Sequence, residues 1–371
     1  MRKLLICLAV LLALPAAALC EQVTTSATAC IVIDADSGRV LLEHNAHQAL
    51  PMASTTKVMT ALLAIERGSL TDEVTCSRSA FGVPGTSIYL SEGETLTLEQ
   101  MLYGLMLASG NDAAVAIAEH IGGAAEDFCA LMTERARELG CENTVFLTPH
   151  GLPCEGHHTT CHDLALIARE AMTHPVFRQI VSTTRAKIPW EGREYDRVLN
   201  NKNRLLTTYE GATGIKTGYT KAAGRCLVFG AERDGLEIIG VLLNCYDWFD
   251  EAARLMDMAF ARYESLTLLQ AGEVLRLLPV ASGDAESVGA CLAGELKGAV
   301  PLNTLPVVEI DLPDMLEAPV MRGAQLGEVR MVLNGTVLAA VPLLASETVR
   351  RDDFAARWQR YVRQWPLVMA P

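Results

Sequence analysis

The sequence predicts an α+β domain followed by a small all-β domain. Alternating apolar and polar runs, typical of strands, occur at residues 30–44 and again at 214–244, with helical patterns between them. After about Leu268 the composition changes to short β-like runs with several Pro and Gly residues. We therefore expect one sheet whose first and last strands are adjacent, with helices packed on it, and then a separate β domain. The 371 residues are enough for both.

The predicted sheet begins with a hairpin. Residues 30–44, CIVIDADSGRVLLEH, form two alternating runs around the turn residues Asp36-Ser37-Gly38. Residues 51–68, PMASTTKVMTALLAIERG, then have apolar helical spacing, and Gly68 is a suitable C-terminal stop. Ser54 lies at the start of this helix, where a serine often caps free backbone N–H groups.

The middle of the chain is helical. Helices are predicted at 97–108, 113–121, 125–139, from Thr160 onward and at 250–264. Thr97 and Gln100 have the spacing of a capping box, and Gly140 ends the third of these helices. Ser109-Gly110-Asn111-Asp112 separates the first two. The remaining strands of the sheet are predicted at 214–220, 225–232 and 236–244.

The two termini differ from the rest of the chain. A basic start, an apolar run at 4–14 and Ala16-Ala17-Ala18 predict a signal peptide over residues 1–20, the alternative being an uncut membrane anchor. We therefore expect the protein to work outside the cytoplasmic membrane. At the other end, residues 350–366 predict an amphipathic helix with an aromatic face and an arginine face. We expect such a helix to lie on the membrane surface, the alternative being a helix docked on its own domain.

Between the termini we expect a first domain at 25–265 and a β-sandwich at 268–345, with an Asn334-Gly335 turn in the latter. The formal net charge of −13 argues against nucleic acid as a partner, because phosphate binding needs a basic surface. The eleven cysteines are scattered and show no disulfide framework, so their pairing stays open.

Ser54 and Lys57 are the first candidates for chemistry. Residues three apart share a helix face, and the positive end of a helix favours a developing negative charge on the serine oxygen. A lysine one turn away can accept the serine proton if burial and a nearby cation lower the pKa of its amine. The competing interpretation is a simple helix cap beside a solvated lysine.

Two further motifs lie far away in the sequence. Ser109 and Asn111 stand at the break between two helices, and Lys216-Thr217-Gly218 stands on a strand. The lysine offers a fixed cation, the threonine can bind a carboxylate, and the glycine allows a close backbone approach. The order S-x-x-K, S-x-N, K-T-G is the motif set of penicillin-binding proteins and class A β-lactamases.

With these motifs the chain resembles the D-alanyl-D-alanine carboxypeptidases, the low-molecular-mass penicillin-binding proteins of the DacA/DacF kind (peptidase family S11). The stretches TPHGLP, GHHTTCHDLALIARE and NNKNRLL before GIKTGYT support the resemblance. It implies a penicillin-binding-protein/β-lactamase-like transpeptidase domain at 25–265, in which an antiparallel sheet has helices on both sides. It also implies a serine carboxypeptidase that removes the terminal D-alanine of peptidoglycan stem peptides, is acylated by β-lactams and needs no cofactor.

The resemblance also implies roles for single residues. Ser54 corresponds to the nucleophile and Lys57 to its general base, while Ser109 relays a proton and Asn111 orients the substrate amide. Lys216 polarises the site. Three residues contribute to substrate binding: Thr217, Gly218 and Tyr219. Thr217 holds the terminal carboxylate, and the backbone N–H groups of Ser54 and Tyr219 form the oxyanion hole. Lys202 stands where the family often has an arginine that assists with that carboxylate.

Other patterns support competing interpretations. The segment VSTTRA at 181–186 repeats the letters around Ser54, but Arg185 replaces the lysine, and a guanidinium cannot act as a base. We therefore expect Ser182 to be structural.

Six His and Cys residues within thirteen positions could suggest zinc, namely His150, Cys154, His157, His158, Cys161 and His162. We expect no metal, because the first lies in a turn and Thr160 with Asp163 explains the helix start. A β-lactamase and a non-catalytic penicillin-sensing or wall-binding protein are the alternative functions.

Overall fold

The computed structural model describes residues 21–352 together with Phe354 and Trp358. The predicted signal peptide, and all but the start and two residues of the predicted C-terminal helix, lie outside the described residues. The contacts divide the chain into two units. The first unit consists of Cys20–Leu266 and Lys297–Thr304, and the second contains Thr267–Leu296 and the chain from Leu305 onward.

The helices and the first ten strands belong to the first unit. The helices are one turn of 3-10 helix at Ala53–Thr56, α1 Lys57–Arg67, α2 Leu98–Met106, α3 Asn111–Gly122, α4 Ala125–Glu138, α5 Cys161–Thr173, α6 Pro175–Ser182, α7 Leu205–Thr208 and α8 Trp248–Phe260. The strands are β1 Glu21–Gln22, β2 Ala29–Asp34, β3 Val40–His44, β4 Glu73–Thr75, β5 Thr95–Thr97, β6 Arg185–Ile188, β7 Arg197–Asn200, β8 Ala212–Thr220, β9 Gly224–Arg233 and β10 Leu236–Leu243.

Six of these strands form one sheet in the order β1-β3-β2-β10-β9-β8. β1 runs parallel to β3, and the other neighbours are antiparallel. β2 pairs with β10, with Val32 opposite Gly240, so the first hairpin and the last strands are adjacent, as expected from the sequence. β8 forms an edge of this sheet, which leaves one side of the strand available to a peptide.

Both faces of the sheet are buried. Along β2, Ile31 and Ile33 pack into the core formed with α1, α3 and α5, whereas Cys30 and Val32 pack into the core beside α8. This alternation follows from the two-residue period of a strand. Burial of each such aliphatic side chain contributes about 1.5–3 kcal/mol to the stability of the fold. The central strands therefore stabilise the sheet on which the site is built. The prediction of an antiparallel sheet with helices on both sides is confirmed.

Several elements differ from the sequence prediction. α8 ends at Phe260 rather than at 264, because Tyr263 is buried in the second core and begins a strand. The helix starting at Pro175 was not predicted, although proline is favoured at the first position of a helix. Gly68 does end α1, but its φ is −109°. A Cβ there would lie 2.6 Å from a Leu98 methyl group, so close packing rather than a left-handed turn requires the glycine.

The remaining strands are short and mostly antiparallel. They are β11 Tyr263–Leu269, β12 Val274–Ala281, β13 Ser287–Leu292, β14 Leu296–Pro301, β15 Val307–Asp311, β16 Leu316–Glu317, β17 Gln325–Leu333 and β18 Thr336–Ala345. Six of them form a sheet in the order β15-β17-β18-β13-β12-β16. Asn334 and Gly335 join β17 to β18 with φ values of +53° and +79°, the left-handed geometry predicted for this hairpin turn. Among the described residues, no helix is both long and apolar enough to cross a bilayer.

Candidate active site

Ser54 lies in the 3-10 turn that precedes α1. Its hydroxyl caps nothing, because neither end of the turn has a side-chain capping hydrogen bond. The neighbouring hydroxyls fasten the turn instead: Thr55 Oγ1 donates to Met52 O at 2.6 Å and Thr56 Oγ1 donates to Ala53 O at 2.8 Å. The Ser54 oxygen is therefore left for another partner, and it lies 3.1 Å from the Nζ atom of Lys57.

Two glycines bring other backbone segments against this turn. A Cβ on Gly151 would lie 1.8 Å from Ala53 O, and a Cβ on Gly218 would lie 2.9 Å from Ser54 N. The third position of the K-T-G motif therefore requires glycine for a cause that was not predicted from the sequence. Its missing side chain allows β8 to contact the nucleophile turn itself, in addition to any approach of a substrate.

Lys57 is fully buried and has three polar neighbours. Its Nζ lies 2.7 Å from Asn111 Oδ1, 2.9 Å from His150 O and 3.1 Å from Ser54 Oγ. A neutral amine has two N–H donors and one lone pair. The two N–H groups donate to the amide and carbonyl oxygens, which leaves the lone pair for the Ser54 hydroxyl. The geometry thus fits a neutral lysine that accepts the serine proton.

The electrostatics favour the same protonation state. Burial lowers the pKa of Lys57 well below its usual value, the positive charges of Lys216 and Lys202 lower it further, and Asp112 opposes them. Burial, followed by the charge on Lys202, lowers the pKa of Lys216 to about 7. Burial thus favours the neutral form of Lys57, while Lys216, with a pKa of about 7, still carries a charge in part of the molecules at neutral pH.

The break between α2 and α3 holds Ser109 and Asn111 in place. Ser109 has a φ of +63°. The Nδ2 atom of Asn111 donates to Pro84 O at 2.6 Å, which leaves its second hydrogen for a substrate. Asp112 was not predicted as part of the site, but its carboxylate accepts the backbone N–H groups of Ile88 and Leu90. These bonds fix the loop that carries Pro84.

Lys216 connects the strand motif to the helix break. Its Nζ donates to Ser109 Oγ at 3.0 Å and to Thr217 O at 2.8 Å. The structure therefore brings the three motifs together in one hydrogen-bonded group. The motif side chains were predicted from the sequence. The hydrogen bonds that the backbone oxygens of His150 and Pro84 accept from Lys57 and Asn111 were not predicted.

A cavity of about 340 Å³ opens in front of this group. The predicted site residues on its lining are Ser54, Ser109, Asn111, Lys202, Thr217, Gly218 and Tyr219. Tyr219 is 62% exposed at the mouth. Lys202 is also solvent-exposed, although the surrounding protein lowers its pKa. A larger cavity of about 500 Å³ beside Trp190 contains none of the predicted residues, so size does not identify the site.

Two of the histidines considered for zinc have separate hydrogen-bond partners. His157 Nε2 lies 2.9 Å from Thr56 Oγ1, and its Nδ1 accepts the N–H of Leu147 at 3.0 Å. His150 Nδ1 accepts the N–H of Leu152 at 3.1 Å. Burial lowers the pKa of both histidines to about 4, so they are neutral at pH 7 and serve as hydrogen-bonding groups. The nine cysteines within the described residues are all free thiols.

The second serine motif has a different environment. Ser182 is exposed at the end of α6, and its hydroxyl donates to Arg178 O at 2.8 Å. Arg185 is exposed on β6. Ser182 thus has a backbone partner, which agrees with the structural role expected from the sequence.

Comparison with known proteins gives matches over both units. Residues 16–246 match the family described as D-alanyl-D-alanine carboxypeptidase (peptidase S11), and residues 263–351 match the C-terminal domain of penicillin-binding protein 5. The D-alanyl-D-alanine carboxypeptidase DacF of Bacillus subtilis is 32% identical over 362 residues, which cover 93% of this chain and 91% of the relative. The carboxypeptidase DacC of Escherichia coli is 31% identical over 94% of this chain and 89% of its own.

A solved structure is also similar. The crystal structure of penicillin binding protein 5 from Haemophilus influenzae has a TM-score of 0.76 at 27% identity, covering 89% of this chain and 99% of that one. The fold is thus a penicillin-binding domain followed by an all-β domain. The family match covers more than half of the sequence, and relatives above 30% identity align over most of it. The chain therefore belongs to the serine D-alanyl-D-alanine carboxypeptidase family of penicillin-binding proteins.

Proposed function

We propose that Ser54 is the nucleophile with which this chain removes the terminal D-alanine of peptidoglycan stem peptides. The observation that carries the proposal is the environment of Lys57. Its amine is buried, its pKa is lowered, and its two N–H groups already have acceptors, so its lone pair is directed at the Ser54 hydroxyl.

Proton transfers accompany both the formation and the hydrolysis of the acyl-enzyme. Ser54 Oγ attacks the carbonyl carbon between the two D-alanines while its proton passes to Lys57 Nζ. The backbone N–H groups of Ser54 and Tyr219 stabilise the oxyanion. When the intermediate collapses, the C–N bond breaks and the amine of D-alanine takes the hydroxyl proton of Ser109, whose oxygen accepts a hydrogen bond from Lys216. The proton held by Lys57 replaces the one that Ser109 gave, so Lys57 is neutral again. In deacylation, water gives a proton to Lys57 as it attacks the ester carbonyl, and that proton passes to Ser54 Oγ when the ester C–O bond breaks.

The C-terminal carboxylate of the substrate binds beside the K-T-G strand. Thr217 supplies a hydroxyl on the cavity lining, Lys216 supplies a cation behind it, and Lys202 supplies a second cation at the rim. The free Nδ2 hydrogen of Asn111 binds the amide of the substrate. A β-lactam carries the same carboxylate and a strained amide, so it acylates the same serine.

The alternative functions predict different chemistry after acylation. A β-lactamase needs an efficient base for hydrolysis of the penicilloyl ester, yet no carboxylate lies on the cavity lining within the described part of the chain. We therefore expect penicillin to be trapped with one equivalent bound and slow release. A non-catalytic wall-binding protein would not need the lowered pKa of Lys57. A penicillin sensor would be acylated by penicillin but would release no D-alanine from a peptide.

The test compares wild type with Ser54→Ala, with Ser182→Ala as the matched control. Wild type and the control should bind one equivalent of fluorescent penicillin and release D-alanine from diacetyl-Lys-D-Ala-D-Ala. Ser54→Ala should do neither while its melting temperature stays close to that of wild type. Equal labelling of Ser54→Ala would refute the assignment of the nucleophile. Rapid turnover of penicillin by wild type would favour the β-lactamase instead.

The same proposal includes a location outside the cytoplasmic membrane, with the C-terminal segment on the membrane surface. It is supported by the signal-like residues 1–20 and by the aromatic and arginine faces of 350–366. Phe354 and Trp358 are 81% and 59% exposed, with their rings 6.3 Å apart. The full chain should sediment with anionic vesicles, and a Phe354→Ser/Trp358→Ser variant should not. Equal sedimentation of both would contradict the membrane role of this face.

A further inference from the structure

A second cavity adjoins the active site at the end of β8. It has a volume of about 380 Å³ and is lined by Tyr219, Gly224, Arg225, Asn244, Tyr246 and Trp248. Tyr219 and Trp248 also line the cavity that contains Ser54. Since the two cavities share these walls, a ligand held at Ser54 can extend into the second one.

The direction of the substrate follows from the edge strand. In the proposed reaction Thr217 binds the substrate carboxylate and the backbone N–H of Tyr219 binds the oxygen of the scissile carbonyl, so the peptide runs antiparallel to β8. Its N-terminal part therefore continues past Tyr219 toward Thr220. Tyr219 pairs with Arg225 across β8 and β9, so the residue that precedes D-Ala-D-Ala reaches the cavity bounded by Arg225.

The walls of this second cavity are aromatic and carry one positive charge. Arg225 places its guanidinium 4.6 Å from the ring centre of Tyr246 and donates one N–H to Tyr246 O. A guanidinium has five N–H donors, so others stay available to a ligand. Among the residues that the structure describes, no Asp or Glu lies on the lining. Tyr246 is 82% exposed, although tyrosine rings usually gain from contact with an apolar partner.

We propose that this cavity binds the side chain of the residue before D-Ala-D-Ala and selects one whose alkyl stem ends in a carboxylate. The alkyl stem packs against Tyr219 and Trp248, and the carboxylate pairs with Arg225. A side chain of equal length that ends in an ammonium group meets the same walls but is repelled by the guanidinium. The inference rests on the proposed carboxypeptidase function and adds a preference to it.

The test uses two acetylated tripeptides X-D-Ala-D-Ala with identical four-carbon stems. In one, X is 2-aminopimelate, whose side chain ends in a carboxylate, and in the other X is lysine. Release of D-alanine gives kcat/KM for each. We expect wild type to prefer the carboxylate about tenfold, as a partly exposed charge-assisted pair allows. Arg225→Gln should bring the ratio close to one, and Arg225→Lys should keep part of it.

Arg233→Gln is the matched control, because Arg233 lies at the other end of β9 with its guanidinium 4.6 Å from the ring centre of Phe260. The control should keep the wild-type ratio. Both peptides are measured on the same protein preparation, so a partly unfolded variant does not alter the ratio. A wild-type ratio near one, or an unchanged ratio in Arg225→Gln, overturns the subsite while continued D-alanine release upholds the carboxypeptidase function. Absence of release from both peptides overturns both proposals.

Discussion

Gly151→Ala should disable the nucleophile without unfolding the protein. Gly151 has a φ of +86°, and a Cβ there would lie 1.8 Å from Ala53 O. Contacts of real Cβ atoms are essentially never shorter than 3.0 Å. The two backbone segments must therefore separate by about 1.2 Å, the difference between these distances. Ala53 directly precedes Ser54, so the serine oxygen moves by a similar amount.

A displacement of about 1 Å at a reacting group costs on the order of 10²-fold in rate. We therefore expect the second-order rate constant for acylation by a fluorescent penicillin to fall about a hundredfold in Gly151→Ala. The left-handed backbone conformation itself adds roughly 1–2 kcal/mol of destabilisation for a residue with a Cβ. A thermal melt measures that cost separately from the acylation rate.

Gly140→Ala separates the two effects. Gly140 also has a φ of +86°, but the nearest atom to its Cβ would be a Leu166 methyl group at 4.0 Å. It should show the same loss of stability and acylate like wild type. If Gly151→Ala acylates within threefold of wild type, or if Gly140→Ala loses as much activity, then the contact with Ala53 does not position the serine and the reasoning is wrong.

Two further predictions concern the buried lysines. Lys57→Arg places a permanently protonated guanidinium where the lysine is neutral, so stopped-flow acylation should be about 10²–10⁴-fold slower; a rate within tenfold of wild type would exclude Lys57 as the base. The pKa of Lys216 is about 7 in the folded protein and about 10.4 when unfolded. The unfolded chain therefore binds more protons above pH 7, and the melting temperature should rise from pH 7 to about 8.5. Above that pH the trend should reverse, because burial raises the pKa of thiols such as Cys226 to about 12. Lys216→Met should show a smaller rise, because the pKa of Lys57 is also lowered and acts in the same direction. A falling wild-type melting temperature between pH 7 and 8.5 would contradict the prediction.

The side chains of the site were predictable because their chemistry restricts residue type. A base that accepts a proton from Ser54 must be able to lose its own, which distinguishes Lys57 from Arg185 by sequence alone. The same restriction applies to Asn111 and Lys216, since only a few residue types provide an amide or a cation. The long, strongly periodic strands and helices were predictable for a similar reason, because a buried face repeats along the sequence.

The remaining parts of the site depend on backbone atoms, which every residue has. The carbonyl groups of His150 and Pro84 hold Lys57 and Asn111, yet no side-chain pattern marks a carbonyl that will receive a hydrogen bond from a distant segment. From the sequence, the side chain of His150 was considered as a metal ligand, and its carbonyl group was given no role. The end of α8 was missed because burial of Tyr263 in the core beside α8, rather than local propensity, decides where the helix stops.

The difference between Ser54 and Ser182 thus lies in burial more than in sequence. Both serines begin the same four-letter pattern S-T-T-x, but the hydroxyl of Ser182 donates to its own helix, whereas that of Ser54 faces a lysine whose other neighbours come from two distant segments. Those segments supply acceptors for both N–H groups of Lys57 and exclude water, which lowers its pKa. An exposed lysine at the same spacing would stay protonated at neutral pH. The nucleophile is therefore created by the packing of three motifs around Lys57, and the helix start alone would not activate it.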